Sequence, residues 1–146
     1  MASLPHPVPG LVVGYSYLWE AEFRNGREEG RKDRPCAIIL ATRMEEGDLV
    51  VTVAPITHAE PGRPGDALEV PPDIKRRLGL DEQRSWLVCA EVNRFVWPGP
   101  DLRPVSRRRP GEFAYGVLPP SFLRQVYDRL RVLRIERRTR VVFRSP

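Results

Sequence analysis

Arg34, Thr57 and His58 are the residues whose types and positions best suit chemistry in this chain. Arg34 opens an apolar run over 34–42, and Thr57 and His58 close a second run that begins at Leu49. Both runs are short, rich in β-branched residues and bounded by charge or turn residues, so they predict neighbouring core strands. Paired as a hairpin, the strands bring these polar ends together. Arginine keeps its charge at any working pH, and its planar fork of donors suits a phosphate and the extra negative charge of a pentavalent phosphoryl transition state. RNA carries its own nucleophile in the 2′-hydroxyl, so attack on the adjacent phosphate needs positioning and charge stabilisation rather than a metal. Arg34 and Thr57, with or without His58, are enough for that. The same residues are also ordinary strand boundaries, and a lone histidine after a strand is commonly a surface or capping residue.

Other chemistries are excluded mainly by omission. The sequence has no His, Cys and carboxylate cluster at metal spacing, no G-x-S-x-G, no phosphate-binding glycine loop and no C-x-x-C, so neither metal nor cofactor is expected. Cys36 and Cys89 each sit in an apolar strand pattern and read as reduced, buried thiols. His6 falls in a proline-rich stretch and reads as inert. At 146 residues and 41% apolar content the chain predicts one domain. No run approaches the roughly 18 apolar residues of a membrane span, and no secretory leader pattern opens the chain, so no membrane contact and a cytoplasmic location are expected. The net charge is +5, but residues 1–100 carry −3 and residues 101–146 carry +8. The basicity is C-terminal, which fits either a solvated arginine face or a nucleic-acid or acidic-partner surface.

The elements that must position these residues follow from turn and periodicity signals. Residues 1–9, with three prolines, form an extended leader. A first strand covers 11–19, with Leu11, Val13, Tyr15, Tyr17 and Trp19 on one side. Residues 20–33 are charged and contain Gly26 and Gly30, the pattern of a long functional loop, with a short helical turn possible near 19–23. After the two core strands come a brief strand at 67–70, a small plug helix from Pro72, and a strand at 85–92 that continues past a kink. A short edge strand spans 102–105, and a last strand 113–118. A helix starts at Pro119-Pro120 with Leu123, Val126, Tyr127, Leu130 and Leu133 as its apolar stripe, ending near 134–138. Residues 139–146 form a tail in which Val141-Val142-Phe143 can add a strand. The rhythm predicts a mainly β chain with helices, α+β in class: a small, bent antiparallel barrel with a plug helix and a C-terminal amphipathic helix.

In this order of elements, Glu28-Glu29-Gly30-Arg31-Lys32-Asp33-Arg34-Pro35 before an aliphatic strand, followed by Val53-Ala54-Pro55-Ile56-Thr57, resembles the PemK/MazF family of toxin endoribonucleases. The likeness extends loosely over residues 10–134. It implies a small SH3-like barrel that forms a homodimer, cleaves single-stranded RNA without a metal and is held inactive by a cognate antitoxin. It also implies that Arg34 is the catalytic arginine and Thr57 its partner on a phosphate oxygen. Arg31, Lys32 and His58 would be RNA contacts, and the loop 20–33 would gate the RNA groove. Pro9-Gly10-Leu11, the 15–19 aromatic stretch and the Phe95–Gly99 turn depart from the usual family pattern, so RNA sequence preference does not carry over. Two other readings fit the residues: a toxin on the same barrel that acts on a protein such as DNA gyrase, and a non-catalytic SH3-like module binding nucleic acid or protein. The chain's Phe143-Arg144-Ser145-Pro146 matches the first of these poorly. The ribonuclease reading requires Arg34 and Thr57 to share one phosphate, which puts their polar atoms within roughly 4–8 Å, given hydrogen bonds of about 3 Å from each.

Overall fold

A computed structural model of the chain describes residues 4–28, 30 and 32–145. In chain order its elements are β1 (Leu11–Tyr15), α1 (Glu20–Arg24), β2 (Arg34–Arg43), β3 (Leu49–Thr57), β4 (Ala67–Glu69) and α2 (Pro72–Arg77). They continue with β5 (Trp86–Val88), β6 (Glu91–Val96), β7 (Leu102–Arg103), β8 (Ala114–Val117), α3 (Pro120–Ile135) and β9 (Arg140–Phe143). The architecture is a mainly antiparallel sheet with three helices among the described residues, an α+β chain.

The hairpin of β2 and β3 is its centre. Cys36 pairs with Pro55, Ala37 with Ala54 and Ile38 with Val53, and then a bulge at Ile39 shifts the register so that Leu40 meets Thr52. Gly47, with φ of 98°, turns the chain between the strands, a conformation that suits a residue without Cβ. β2 also pairs with β1, while β3 pairs with β5 and β6 on its other side. The main strand path runs β4-β5-β3-β2-β1-β7, with β6 branching from β3 and β8 from β1. The pairings among the described residues leave that path open.

Alternation along the strands divides the core in two. Val13, Tyr15, Cys36, Ile38, Val51, Val53 and Phe95 pack into one cluster. Val12, Ala37, Ile39, Ala54, Ile56 and Val92 face the other, where α2 and α3 supply Ile74, Leu78, Phe122, Val126 and Leu133. Each fully buried side chain of this size contributes roughly 1.5–3 kcal/mol, so the two clusters are the main stabilising mass. Phe122, outside the expected helix stripe, is buried, whereas Tyr127 lies at the edge and donates its hydroxyl to the Ile39 carbonyl at 2.7 Å.

Several strand boundaries differ from expectation for identifiable reasons. β1 ends at Tyr15, because beyond it the Asn93 side chain replaces a strand partner, accepting from Leu18 N at 2.9 Å and donating to Leu18 O at 2.8 Å. The expected strand over 85–92 is two strands. Cys89 and Ala90 both turn their N–H groups to the Asp66 carbonyl, and this bend lets β5 and β6 pair with successive halves of β3. The predicted tail is β9, which pairs in parallel with β6, the exception in an otherwise antiparallel sheet.

Arg144, just after β9, is buried, with its side chain 2% exposed and 3.0 Å from the Asp101 carboxylate. It also donates to Ser16 O at 2.6 Å, Asn93 Oδ1 at 3.1 Å and Glu28 O at 3.0 Å. Removing one partner of a buried, hydrogen-bonded ion pair costs about 3–5 kcal/mol. Arg144→Ala is therefore expected to lower the stability measured by urea unfolding by about that amount, while the exposed control Arg124→Ala stays within about 0.5 kcal/mol. Equal midpoints for the two variants would show that the tail does not dock in solution.

Candidate functional site

The hairpin register carries the two leading residues to one place. Continuing the Cys36–Pro55 pairing by two residues sets Arg34 opposite Thr57, and strand parity points both toward the face of Cys36, Ile38, Val51 and Val53. The Arg34 Nη1 donates to Thr57 Oγ1 at 3.3 Å. The two are in direct contact, closer than the separation expected for groups that share a phosphate between them.

Three features set the character of Arg34. It is half-buried, and its guanidinium stacks over the Trp19 ring at 5.1 Å from the centroid. Burial pulls its pKa below the usual arginine value, with the Glu22 carboxylate acting the other way; an arginine nevertheless stays cationic. Among the described residues no carboxylate forms an ion pair with it. A partly dehydrated guanidinium that lies over an aromatic ring and has no ion-paired carboxylate among the described residues is a ready anion site.

Thr57 is equally constrained. Its Oγ1 accepts from Arg34 and also from the Ala59 N–H at 3.2 Å. With both lone pairs engaged, the hydroxyl hydrogen is left to donate outward.

These groups open on a cleft of about 290 Å³ lined by Lys32, Arg34, Thr57, His58, Asp81 and Tyr115, among others. Larger hollows exist elsewhere, about 680 Å³ beside α3 and about 590 Å³ between α1 and the segment before β9. Size does not choose between them; the smaller cleft is where the hairpin's polar ends converge. Lys32 lines it as an exposed cation. Arg31, the other expected RNA contact in this segment, lies outside the described residues.

His58 does not stand alone. Its Nε2 lies 3.0 Å from Asp81 Oδ1 and 2.8 Å from Asp81 Oδ2. Asp81 in turn accepts from Lys75 Nζ at 2.7 Å and from the Gln83 N–H at 3.1 Å. Lys75, its side chain only 5% exposed, also donates to Ser85 Oγ at 2.8 Å and to the Gln83 carbonyl. The lysine's three protons thus have three acceptors. Chiefly this lysine, and then His58, hold the Asp81 carboxyl below the usual aspartate range, although some burial acts the other way.

Sequence reasoning missed Asp81, Lys75, Trp19 and Tyr115 as site residues. One signal for Lys75 was present: only two of the 24 basic residues are lysine. Trp19 belonged to the aromatic alternation of the first strand, without a hint of what it would stack on. Both cysteines are free and buried, as expected; burial raises the Cys36 thiol well above its ordinary value and pushes Cys89 up to about 12. Among the described residues no group of His, Cys, Asp and Glu is arranged to hold a metal, and no helix is long and apolar enough to cross a membrane.

No protein-family model matches the chain, and no curated protein matches it in sequence. The geometry of the cleft is therefore what bears most directly on function.

Because the folded state depresses Asp81, its contribution to stability is complete above its ordinary value of about 3.9 and is lost as pH falls through the depressed value. The stability gap between the parent chain and Asp81→Asn is expected to narrow as pH falls below about 4, read from urea midpoints at a series of pH values. A gap that stays constant through that range would show that the Lys75–Asp81 pair is not formed.

Proposed function

We propose that the chain is a metal-independent endoribonuclease of the PemK/MazF kind, cleaving single-stranded RNA as the toxin of a toxin–antitoxin pair. The observation that carries this reading is the Arg34–Thr57 contact at the mouth of the cleft, 3.3 Å long and without a carboxylate partner among the described residues. It supplies what phosphoryl transfer from RNA requires when the nucleophile belongs to the substrate: a fixed cation and a fixed hydroxyl donor aimed at one phosphate.

In this mechanism the scissile phosphate lies against the outer edge of the Arg34–Thr57 pair. The guanidinium accepts the charge that builds on the non-bridging oxygens as the 2′-oxygen attacks in line, and the Thr57 hydroxyl donates to one of those oxygens. The O2′–P bond forms, the P–O5′ bond breaks, and the products are a 2′,3′-cyclic phosphate and a 5′-hydroxyl. The guanidinium lies over the Trp19 ring, and Tyr115 lines the same cleft, where an aromatic ring suits stacking of a neighbouring base. Lys32 meets the RNA backbone. An SH3-like barrel, assembly as a homodimer, action in the cytoplasm and inhibition by an antitoxin complete the reading and rest on the motif resemblance.

Purified protein is expected to cut a random-sequence RNA pool in excess EDTA. Arg34→Ala is expected to reduce the rate by about 10²–10³-fold, the usual loss for one transition-state donor, with an unchanged far-ultraviolet circular dichroism spectrum. Cleavage that needs added divalent metal, or full activity in that variant, would remove the proposal.

A further inference from the structure

We propose that His58, oriented by Asp81, is the group that takes the proton from the attacking 2′-hydroxyl; this rests on the ribonuclease reading above. The argument begins with which nitrogen is occupied. Nε2 faces both oxygens of the Asp81 carboxylate, at 3.0 and 2.8 Å, so Nε2 carries hydrogen and donates it. Nδ1 has no hydrogen-bond partner among the described residues. In the neutral ring that nitrogen holds a lone pair, and His58 lines the same cleft as Arg34 and Thr57.

The orientation is imposed from inside the fold. An exposed histidine–aspartate pair, here with side chains 45% and 51% exposed, is ordinarily loose and weak. Asp81 differs because its Oδ1 also accepts from Lys75 Nζ at 2.7 Å and from the Gln83 N–H at 3.1 Å. Lys75, on the buried side of α2, is anchored by Ser85 and the Gln83 carbonyl from the loop before β5. A carboxylate held on its inner side by a buried lysine can turn the imidazole without swinging away with it. Asp81 is thus a positioning residue, and Lys75 positions Asp81.

The proton inventory closes without a metal. Nδ1 takes the proton of the 2′-hydroxyl as the O2′–P bond forms, water protonates the departing 5′-oxygen, and the imidazolium returns its proton to solvent. Arg34 stays protonated throughout. The charged and titratable groups around His58 are Lys75 from α2 and Asp81 from the loop after it, Lys32 and Asp33 just before β2, Arg34 at its start, and Tyr115 from β8.

The test compares the parent chain, His58→Ala, Asp81→Asn and Arg34→Ala on the random-sequence RNA pool in EDTA between pH 5 and 9. Affinity for a 2′-deoxy analogue, which cannot be cut, is measured alongside. His58→Ala is expected to lose about 10²–10⁴-fold in rate, the usual worth of a general base, with its affinity for the analogue retained. The parent rate should rise through the range in which an imidazole loses its proton, and that rise should be absent from His58→Ala and shifted to lower pH in Asp81→Asn. Nitrogen-15 spectra of the imidazole should show the Nε2–H tautomer in the parent and a mixture in Asp81→Asn. If His58→Ala cuts at the parental rate with an unchanged pH profile while Arg34→Ala is inactive, the proton-transfer role is overturned and the ribonuclease reading stands. An Nδ1–H tautomer in the parent overturns the orientation argued here. A parent chain that leaves the pool intact removes both.

Discussion

The docking of Arg144 is the constraint on which the arrangement of the site depends. Its buried guanidinium gathers four acceptors from four distant parts of the chain: Ser16 O, Glu28 O, Asn93 Oδ1 and the Asp101 carboxylate. Asn93, held from one side by Arg144, grips the backbone of Leu18 with both ends of its amide. Together they fix residues 16–18 in the absence of a strand partner, and Trp19 follows directly. Displacing this segment would leave buried donors and acceptors unsatisfied, at roughly 1–3 kcal/mol for each. Trp19 is thereby held where the Arg34 guanidinium lies over its ring, so a residue far along the chain helps to place the proposed catalytic cation.

The loop after α1 is drawn into the same arrangement. Gly30 N donates to Ser16 Oγ at 3.2 Å, and a Cβ at position 30 would come within 2.0 Å of the Tyr17 carbonyl oxygen. Only glycine permits that approach. The glycine therefore closes the loop against the segment that carries Tyr17 and Trp19, and the chain then enters β2 at Arg34. Glu91 adds a second tie, accepting from the Tyr17 hydroxyl and the Glu20 N–H, each at 3.1 Å. Stacking, loop closure and hairpin register all converge on Arg34. Such preorganisation has catalytic value because a fixed dipole or charge needs no rearrangement as the transition state forms.

What could be read from the chain beforehand was the part governed by local pattern. The β2–β3 hairpin, the plug helix at Pro72 and the last helix at Pro120 follow from alternation, turn residues and proline placement, and the meeting of Arg34 with Thr57 follows from the hairpin alone. What could not be read depends on partners remote in sequence. The division of 85–92 into two strands rests on the Asp66 carbonyl, and the early end of β1 rests on Asn93. Nothing about Asp81 in isolation distinguishes it from any polar residue after a helix; its role appears only once α2 places Lys75 beneath it and β3 delivers His58 above it. The parallel pairing of β9 with β6 was equally hidden, because four residues of β pattern do not specify a direction.

The C-terminal excess of positive charge divides in the same way between structure and surface. Arg138 pairs with Asp66, Arg140 with Glu20 and Arg144 with Asp101, so three of these arginines tie the last segment to the body of the protein. Arg134 and Arg137, in contrast, form no ion pair among the described residues and stand exposed beside the hollow along α3. Charges of the first kind are largely neutralised by their partners and add little to the external field. Those of the second kind act over about 8 Å at physiological ionic strength, enough to raise the encounter rate of a polyanion without setting its register. Under the proposed function, attraction and register fall to different arginines: the exposed ones on and after α3 supply long-range charge, while Arg34, held by the hairpin, contacts Thr57 at the cleft.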